Sequence, residues 1–520
     1  MANQVIKAIK SSGILGAIAF LTVLLFGGWS GAVIGWLLGT AAGFMRTQSK
    51  RIGTPQVGAQ LGAIAGLEVG IWLLIASIVQ SLLAPVLGQS TVNLLQSLVY
   101  GVLALAIAAL AGGFMGSLQG LPPSQRRVAT LVTLAFILIL FPFVDRVAQT
   151  NWIATTIQIQ IFIMLALGLN ITVGFAGLLD LGYAAFFAIG AYTTGFLSSP
   201  QLGNEWNFWF VLPIAALVAA MFGVILGSPT LRLRGDYLAI VTLGFGEIVP
   251  VIFRNLTGVR IEEPISKLVG SVFGHPEWAI CLVGCDRPIN LTGGEAGINP
   301  IGRPYLLLIG TFDVSDYFPW YYLILLLVVF AYFMISRLRD SRLGRAWTAI
   351  REDELAASAM GINIFKTKIL AFAMGATFSG FAGAFYAANI SAIFPSVFDF
   401  SVSVIILCMV ILGGLGNMTG VILGGIIIMS ADRLYLPQLA QVLKGFLNTA
   451  VLPNIANPQL QDFIATSIDP IQMRLFLFGL TLVIVMIVRP EGLVPDASHR
   501  AELHSEDEVQ NESLADARSQ

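Results

Sequence analysis

The sequence predicts an all-α fold, a polytopic membrane helical bundle of about 12–14 passes with glycine-broken half-helices included. Three observations carry it. Hydrophobic residues make up 56% and charged residues 11% of the 520-residue chain, against about 45–50% and about 25% in an ordinary soluble domain. Mean hydropathy is +0.84. Apolar runs near the length of a bilayer crossing, about 20 residues, recur from end to end. So few charges cannot cover so much apolar surface in water, which excludes a soluble enzyme and a disordered chain. A net charge of −1 leaves no basic field for nucleic acid.

Clear spans are expected at 61–83, 97–118, 128–144, 153–173, 182–198, 209–228, 237–253, 319–336, 369–389 and 471–488. Two longer runs break at glycines. Residues 14–45 divide at Gly27-Gly28-Trp29-Ser30-Gly31, and 401–429 divide at Gly413-Gly414-Leu415-Gly416-Asn417. The 54 glycines suit close helix approach in lipid, where small residues replace a hydrophobic driving force. The run behind Lys7 and Lys10 has no convincing cleavage site and reads as a retained membrane segment, not a signal peptide.

Lys and Arg in short loops set the orientation. Arg46, Lys50 and Arg51 form one basic cluster, Arg126 with Arg127 a second, and Arg232 with Arg234 a third. The densest is Arg337, Arg339, Arg342, Arg345, Arg351, Lys366 and Lys368. An even number of passes separates each pair of clusters, so all four are expected in the cytoplasm, as are both termini. The tail 496–520, with seven acidic and two basic residues, reads as a polar cytoplasmic tail. Residues 254–318 then form a long outside loop. Its Cys281 and Cys285 admit either a disulfide in an oxidising compartment or two free thiols. Cys408, in an apolar run, reads as a small core residue.

No HExxH or paired CxxC spacing and no P-loop occurs, so neither a metal, a cofactor nor a nucleotide site is expected in this chain. The most specific stretch is 342–361, too polar to cross a membrane yet helical in pattern. Leu343, Trp347, Ile350, Ala357 and Gly361 fall on one face at 100° per residue, with Arg345 and Glu352 opposite. Such a helix needs a surface to lie on. Its Arg residues suit a lipid interface, but the Arg-Glu-Asp-Glu run is as acidic as it is basic, and the small face suits a protein groove better.

Here the residues resemble a known family. Glu354, Ala356, Ala357 and Gly361 look like the coupling-helix motif of ABC importer permeases, in the form with Leu355 before the alanine pair. Residues 168–197, from Gly168-Leu169-Asn170 to Gly195-Phe196-Leu197, resemble the signature of the larger, LivM-type subunit of the branched-chain amino acid class. So do Arg232-Leu233-Arg234-Gly235-Asp236-Tyr237 through Ile248, Gly413–Asn417, and Arg489-Pro490-Glu491-Gly492-Leu493. The resemblance covers roughly 128–495 in order. It implies a permease core at 121–495 and ATPase coupling through Arg351, Glu354, Ala356, Ala357 and Gly361. The implied partners are a second permease subunit, two cytoplasmic ATPase subunits and an external substrate-binding protein, in a bacterial plasma (inner) membrane. Two departures stand out. Where the family has a Thr-Gly-Gly-Pro-Asn-Gly-Ile loop, this chain has Asn255-Leu256-Thr257-Gly258 and then, much later, Thr292-Gly293-Gly294-Glu295-Ala296-Gly297-Ile298, so the intervening segment, which holds Cys281 and Cys285, reads as an insertion. Residues 1–120 resemble no recognised part of the family and read as extra helical packing, with a regulatory role as the alternative and Glu68 structural or interfacial.

The translocation path is expected beside Gly174, Gly177, Asp180, Gly182 and Tyr183 and along the helix bearing Glu247. Glycine-broken helices expose backbone groups, which membranes tolerate only in a cavity or against protein, and intramembrane acids are functional suspects. Other roles stay open: a helix N-cap for Asp180, a hydrogen bond to a neighbouring helix for Glu247. Gly-Phe-Ala-Gly occurs at 174–177 and 380–383, on helices of opposite expected direction, as an inverted repeat would place it. The expected function is ATP-driven, binding-protein-dependent import of branched-chain or other neutral amino acids. Urea or a short amide is the alternative cargo. An ion-coupled secondary transporter, the rival mechanism, has no use for a coupling helix, and a membrane-embedded enzyme lacks its nucleophile or metal constellation here.

Overall fold

A computed structural model of the chain describes residues 2–27, 29–48, 54–84, 94–230, 235–257, 261–262, 281–283, 290–306, 310–313, 315–451, 473–488 and 492–494. Among the described residues, ten helices are long and apolar enough to cross a membrane, so the fold is the expected polytopic helical bundle. The helices are α1 (Ala2–Phe26), α2 (Ser30–Gln48), α3 (Pro55–Leu83), α4 (Leu94–Gln119), α5 (Pro123–Ala148), α6 (Ile153–Leu169), α7 (Tyr183–Ser198), α8 (Phe208–Thr230) and α9 (Gly235–Asn255). There follow α10 (Tyr317–Arg339), α11 (Arg342–Glu352), α12 (Glu354–Ala359), α13 (Ile364–Ile390), α14 (Phe400–Gly413), α15 (Met418–Ser430), α16 (Leu436–Phe446) and α17 (Arg474–Val488). Two antiparallel pairs, Ile261–Glu262 with Cys281–Val283 and Tyr305–Leu306 with Gly310–Thr311, lie between α9 and α10.

Both glycine breaks fall where the composition places them. The first separates α1 from α2. The second separates α14 from α15 through a turn in which Gly414 and Gly416 have φ of +114° and +83°. The chain beyond it differs from expectation. The apolar helical run continues over Met418–Thr449, 32 residues, because a π-turn at Ala431–Tyr435 carries Asp432 and Arg433 without ending the helix. These two charges pair with each other at 3.2 Å, which lowers the cost of carrying them within an apolar helix. Within the 471–488 run, Arg474–Val488 forms helix α17.

The chain divides into two compact units, residues 1–155 with 431–474 and residues 156–430 with 475–520. In the first, α2, α3 and α4 pack backbone to backbone. A methyl at Gly66 would stand 2.1 Å from the Ala108 carbonyl oxygen, so only glycine permits this approach. Ala19, Val23, Ala65, Val69, Leu73, Ala104 and Ala108 fill the core beside it. Glu68 pairs with Arg46 of α2 at 2.6 Å, which places the one acid of α3 in a structural contact. In the second unit α13 lies against α7 and α8. A Cβ on Gly383 would meet the Phe187 carbonyl at 2.4 Å, and one on Gly380 the Ala219 Cβ at 2.7 Å. The two Gly-Phe-Ala-Gly copies therefore differ. Residues 380–383 are helical and packed, whereas 174–177 end a helix with Gly177 at φ +69°.

Between α9 and α10 the Leu291 amide donates to the Leu256 carbonyl at 3.1 Å. That bond brings the two ends of 257–290 together. Cys285 and the side chain of Cys281 lie outside the described residues, as does the 496–520 tail.

Candidate functional site

The site begins at the end of α6. Helix propensity weakens over the polar and β-branched run Asn170-Ile171-Thr172-Val173. The helix widens there into a π-turn, Asn170–Phe175, closed by the Ala176 amide donating to the Ile171 carbonyl at 3.2 Å. Gly177 then takes the left-handed conformation and turns the chain. Leu178 returns its amide to the Thr172 carbonyl at 2.9 Å. Asp180 is 1% exposed. Its Oδ1 accepts from the Gly182 amide at 3.0 Å, and its Oδ2 has no hydrogen-bond partner among the described residues. Gly182, not Asp180, occupies the N-cap of α7. It abuts α9, where a Cβ would stand 2.0 Å from the Thr242 carbonyl. Tyr183 is fully buried and donates to the Gly375 carbonyl of α13 at 2.9 Å.

The stretch 342–361 forms two helices where one was expected. Ser341 caps α11, accepting from the Gly344 amide at 3.3 Å. Asp353 then goes extended, at φ −153°, and its Oδ1 accepts from the Leu355 and Ala356 amides at 2.8 and 3.0 Å. A capping carboxylate competes with helix continuation, and here it wins. Gly361, at φ +85°, ends the second helix with open space around it. The packed face retains Trp347, Ile350 and Ala357, all buried, with Trp347 Nε1 donating to the Thr367 carbonyl at 2.8 Å. Leu343 and Gly361, expected on the same face, are exposed. The break at Asp353 rotates α12 relative to α11 and leaves Leu355 and Met360 83% and 84% exposed beside Ala356. Glu354 pairs with Lys368 of α13.

The fold joins this helix pair to the glycine corner. Arg351 Nη1 donates to the Gly174 carbonyl at 2.5 Å. The stem of Arg351 rests on Gly177, where a Cβ would stand 3.0 Å from Arg351 Cγ. The corner also meets the second glycine turn, because Asn170 Oδ1 accepts from the Gly416 amide at 3.0 Å. That turn in turn holds the last described segment. Leu493 and Val494 donate to the Leu412 and Gly413 carbonyls at 2.9 and 3.1 Å, and Asn417 Nδ2 donates to the Val494 carbonyl at 3.1 Å. Segments far apart in the chain, 170–183, 342–361, 413–417 and 492–494, thus assemble around one corner.

Glu247 is not among them. It sits at mid-length on the exposed face of α9 and makes no hydrogen bond or ion pair among the described residues. Inspection of the sequence missed Asn170, Thr242 and Ser403, whose hydroxyl or carboxamide oxygens accept from the Gly416, Leu181 and Ala184 amides. The available signal was a polar side chain within or beside an apolar span. No group of three or more His, Cys, Asp or Glu with metal-holding geometry occurs among the described residues.

Comparison with known proteins places the chain in one family, whose model covers all of these segments but 492–494. Residues 151–486 match the model described as branched-chain amino acid transport system / permease component. The chain is 38% identical over 368 residues to the high-affinity branched-chain amino acid transport system permease protein LivM of Escherichia coli K12, covering 70% of this chain and 74% of that protein. It is 24% identical over 344 residues to a probable LivM of Methanocaldococcus jannaschii, covering 65% and 91%. A shorter match, 32% over 115 residues, reaches LivH of Escherichia coli K12, 22% of this chain and 37% of that one. No solved structure matches.

Proposed function

Since the chain belongs to the family of branched-chain amino acid transport permease components and is a multi-pass membrane permease subunit, we propose that it imports branched-chain and related neutral amino acids by an ATP-driven route. The proposed assembly contains a second permease subunit of LivH type, two cytoplasmic ATPase subunits and an external binding protein. Both termini and the α11–α12 pair face the cytoplasm. The observation that carries this reading is the Arg351–Gly174 hydrogen bond, 2.5 Å, between the ATPase-facing helices and the break in α6.

The mechanism rests on that contact. Leu355, Ala356, Met360 and Gly361 form the exposed edge of α12 and seat in a groove of the ATPase. Closure of the ATPases moves α11 with α12, since Ala357 and Trp347 are packed against α13. Arg351 carries the displacement to Gly174, and the π-turn with its left-handed Gly177 supplies a hinge. Gly182 passes the motion to α9 across its close approach to Thr242. The path runs beside Gly174–Tyr183 and along the exposed face of α9. There Glu247, unpaired at mid-span, faces water or the second permease and not lipid. The binding protein supplies most of the selectivity, so the path holds its cargo weakly and releases it quickly.

Reconstitution tests this. Vesicles holding the complete complex should take up leucine when ATP is enclosed with the ATPase side and the loaded binding protein is present outside. Uptake driven by an ion gradient without ATP would overturn the mechanism. Uptake of urea in place of leucine would overturn the cargo.

A further inference from the structure

We propose that Arg254 and Glu295 form a zwitterion-reading mouth at the far end of α9, taking a free α-amino acid with an apolar side chain. This deepens the reading above and rests on it.

Arg254 stands in the last turn of α9, and Glu295 on the short turn Gly294–Ala296. Their Nε and Oε1 lie 2.7 Å apart, yet Arg254 Nε makes no aligned hydrogen bond. The side chains remain 40% and 67% exposed, open to a small solute. The turn that presents Glu295 is firmly held. Gly293, Gly294 and Gly297 all have positive φ, and Ile298 exchanges backbone hydrogen bonds with Ile393 at 3.1 Å.

Beneath the pair lies an aromatic floor. Phe253 stacks on Tyr192 at 3.8 Å and 11°, with Phe398 and Phe196 at 6.0 and 6.1 Å from the same ring. Tyr192 is 0% exposed, and its hydroxyl has no hydrogen-bond partner among the described residues. Arg254 and Glu295 both lie within electrostatic reach of that hydroxyl. A loop latch accounts for an ion pair. It does not account for a buried, unpaired hydroxyl under it, which is unfavourable until something bonds to it.

A zwitterion accounts for both. Its carboxylate replaces Glu295 on the guanidinium, and its ammonium replaces Arg254 on the carboxylate. Its carboxylate keeps one oxygen free to accept from the Tyr192 hydroxyl, and its side chain lies against the Phe253 and Phe196 rings of that floor. No charge is left unpaired during the exchange, so net affinity stays low and passage fast. Arg254 stands seven residues beyond Glu247, two turns or about 10 Å along the same face of α9, so the mouth opens onto the proposed path.

The test uses the complete reconstituted importer with saturating leucine-loaded binding protein. Arg254→Gln and Glu295→Gln should each lower leucine uptake about tenfold, with binding-protein-stimulated ATP hydrolysis still within about twofold of parental. The double exchange Arg254→Glu with Glu295→Arg should not restore uptake, because it turns the substrate's side chain off the aromatic floor. Tyr192→Phe, which spares the ion pair, should lower uptake about threefold. Parental uptake in either single variant, or restoration by the exchange, would leave only a latch and overturn the proposal. Should the Arg254 variants fail to assemble, Tyr192→Phe decides alone, and a parental rate there overturns it. A parental complex that moves no amino acid at all defeats the functional reading instead.

Discussion

Arg351 holds Gly174 by its carbonyl, Nη1 to O at 2.5 Å, while its stem lies on Gly177. A guanidinium bonded to a backbone carbonyl grips the chain itself, and in the proposed mechanism this contact carries the motion of α11 to the corner. A charged hydrogen bond of this kind contributes about 1.5–3 kcal/mol, enough to transmit a shift without locking it. Arg351→Ala should therefore leave the protein in the membrane and ATP hydrolysis running, with leucine uptake per ATP reduced about tenfold or more. Arg351→Lys should recover part of the uptake, since an ammonium still donates but lacks the planar fork. Equal coupling ratios in parental and Arg351→Ala complexes would remove Arg351 from the transmission route.

Gly177 is constrained twice, by its left-handed φ of +69° and by Arg351 against it. Gly177→Ala should cost about 1 kcal/mol from the backbone alone. Gly177→Leu should displace the Arg351 stem and block transport with assembly nearly intact. Co-purification of the complex together with vesicle uptake separates the two effects. Parental uptake by Gly177→Leu would place the hinge and the path elsewhere.

Leu355 is 83% exposed and touches little of its own chain. Leu355→Asp should therefore fold normally while releasing the ATPase subunits. The measurement is their recovery with an affinity-tagged permease in mild detergent, expected to fall about tenfold. Gly361→Arg should act in the same direction with an added backbone cost at φ +85°. Full ATPase recovery with Leu355→Asp would show that this edge faces lipid.

Glu247 separates charge from shape. Glu247→Gln keeps the volume and hydrogen-bonding capacity and removes the charge. If the carboxylate steers a zwitterion along α9, uptake should fall about fivefold or more with assembly unchanged. An unaltered rate with Gln, combined with loss of the second permease from Glu247→Leu, would assign the residue to subunit pairing.

The first unit is predicted to be a packing element. Gly66→Leu would drive a side chain into the Ala108 carbonyl, 2.1 Å from where even a Cβ would sit. Overpacking of this kind costs about 1–3 kcal/mol or more. Its thermal midpoint in detergent should drop, and the ratio of leucine to other amino acids transported should not change. A shifted substrate ratio at unchanged stability would show that the unit lines the path.

Membrane character, the main spans and both glycine breaks were legible in the sequence, because hydropathy and glycine act locally and each span satisfies its own backbone hydrogen bonds. The motifs at 168–183, 342–361, 413–417 and 489–493 were legible for the same reason, as short runs with unusual composition. Their meeting was not. Arg351 and Gly174 are 177 positions apart, and Asn170 and Gly416 are 246. No local pattern encodes a contact at such separation. The break at Asp353 was hidden too, since an acid in a helical pattern becomes a cap only when the chain gains by turning there. Tertiary structure also decided that Glu68 pairs with Arg46, whereas Glu247 has no partner among the described residues of its own chain. Both are acids inside apolar membrane spans, and only the neighbouring helix makes them different.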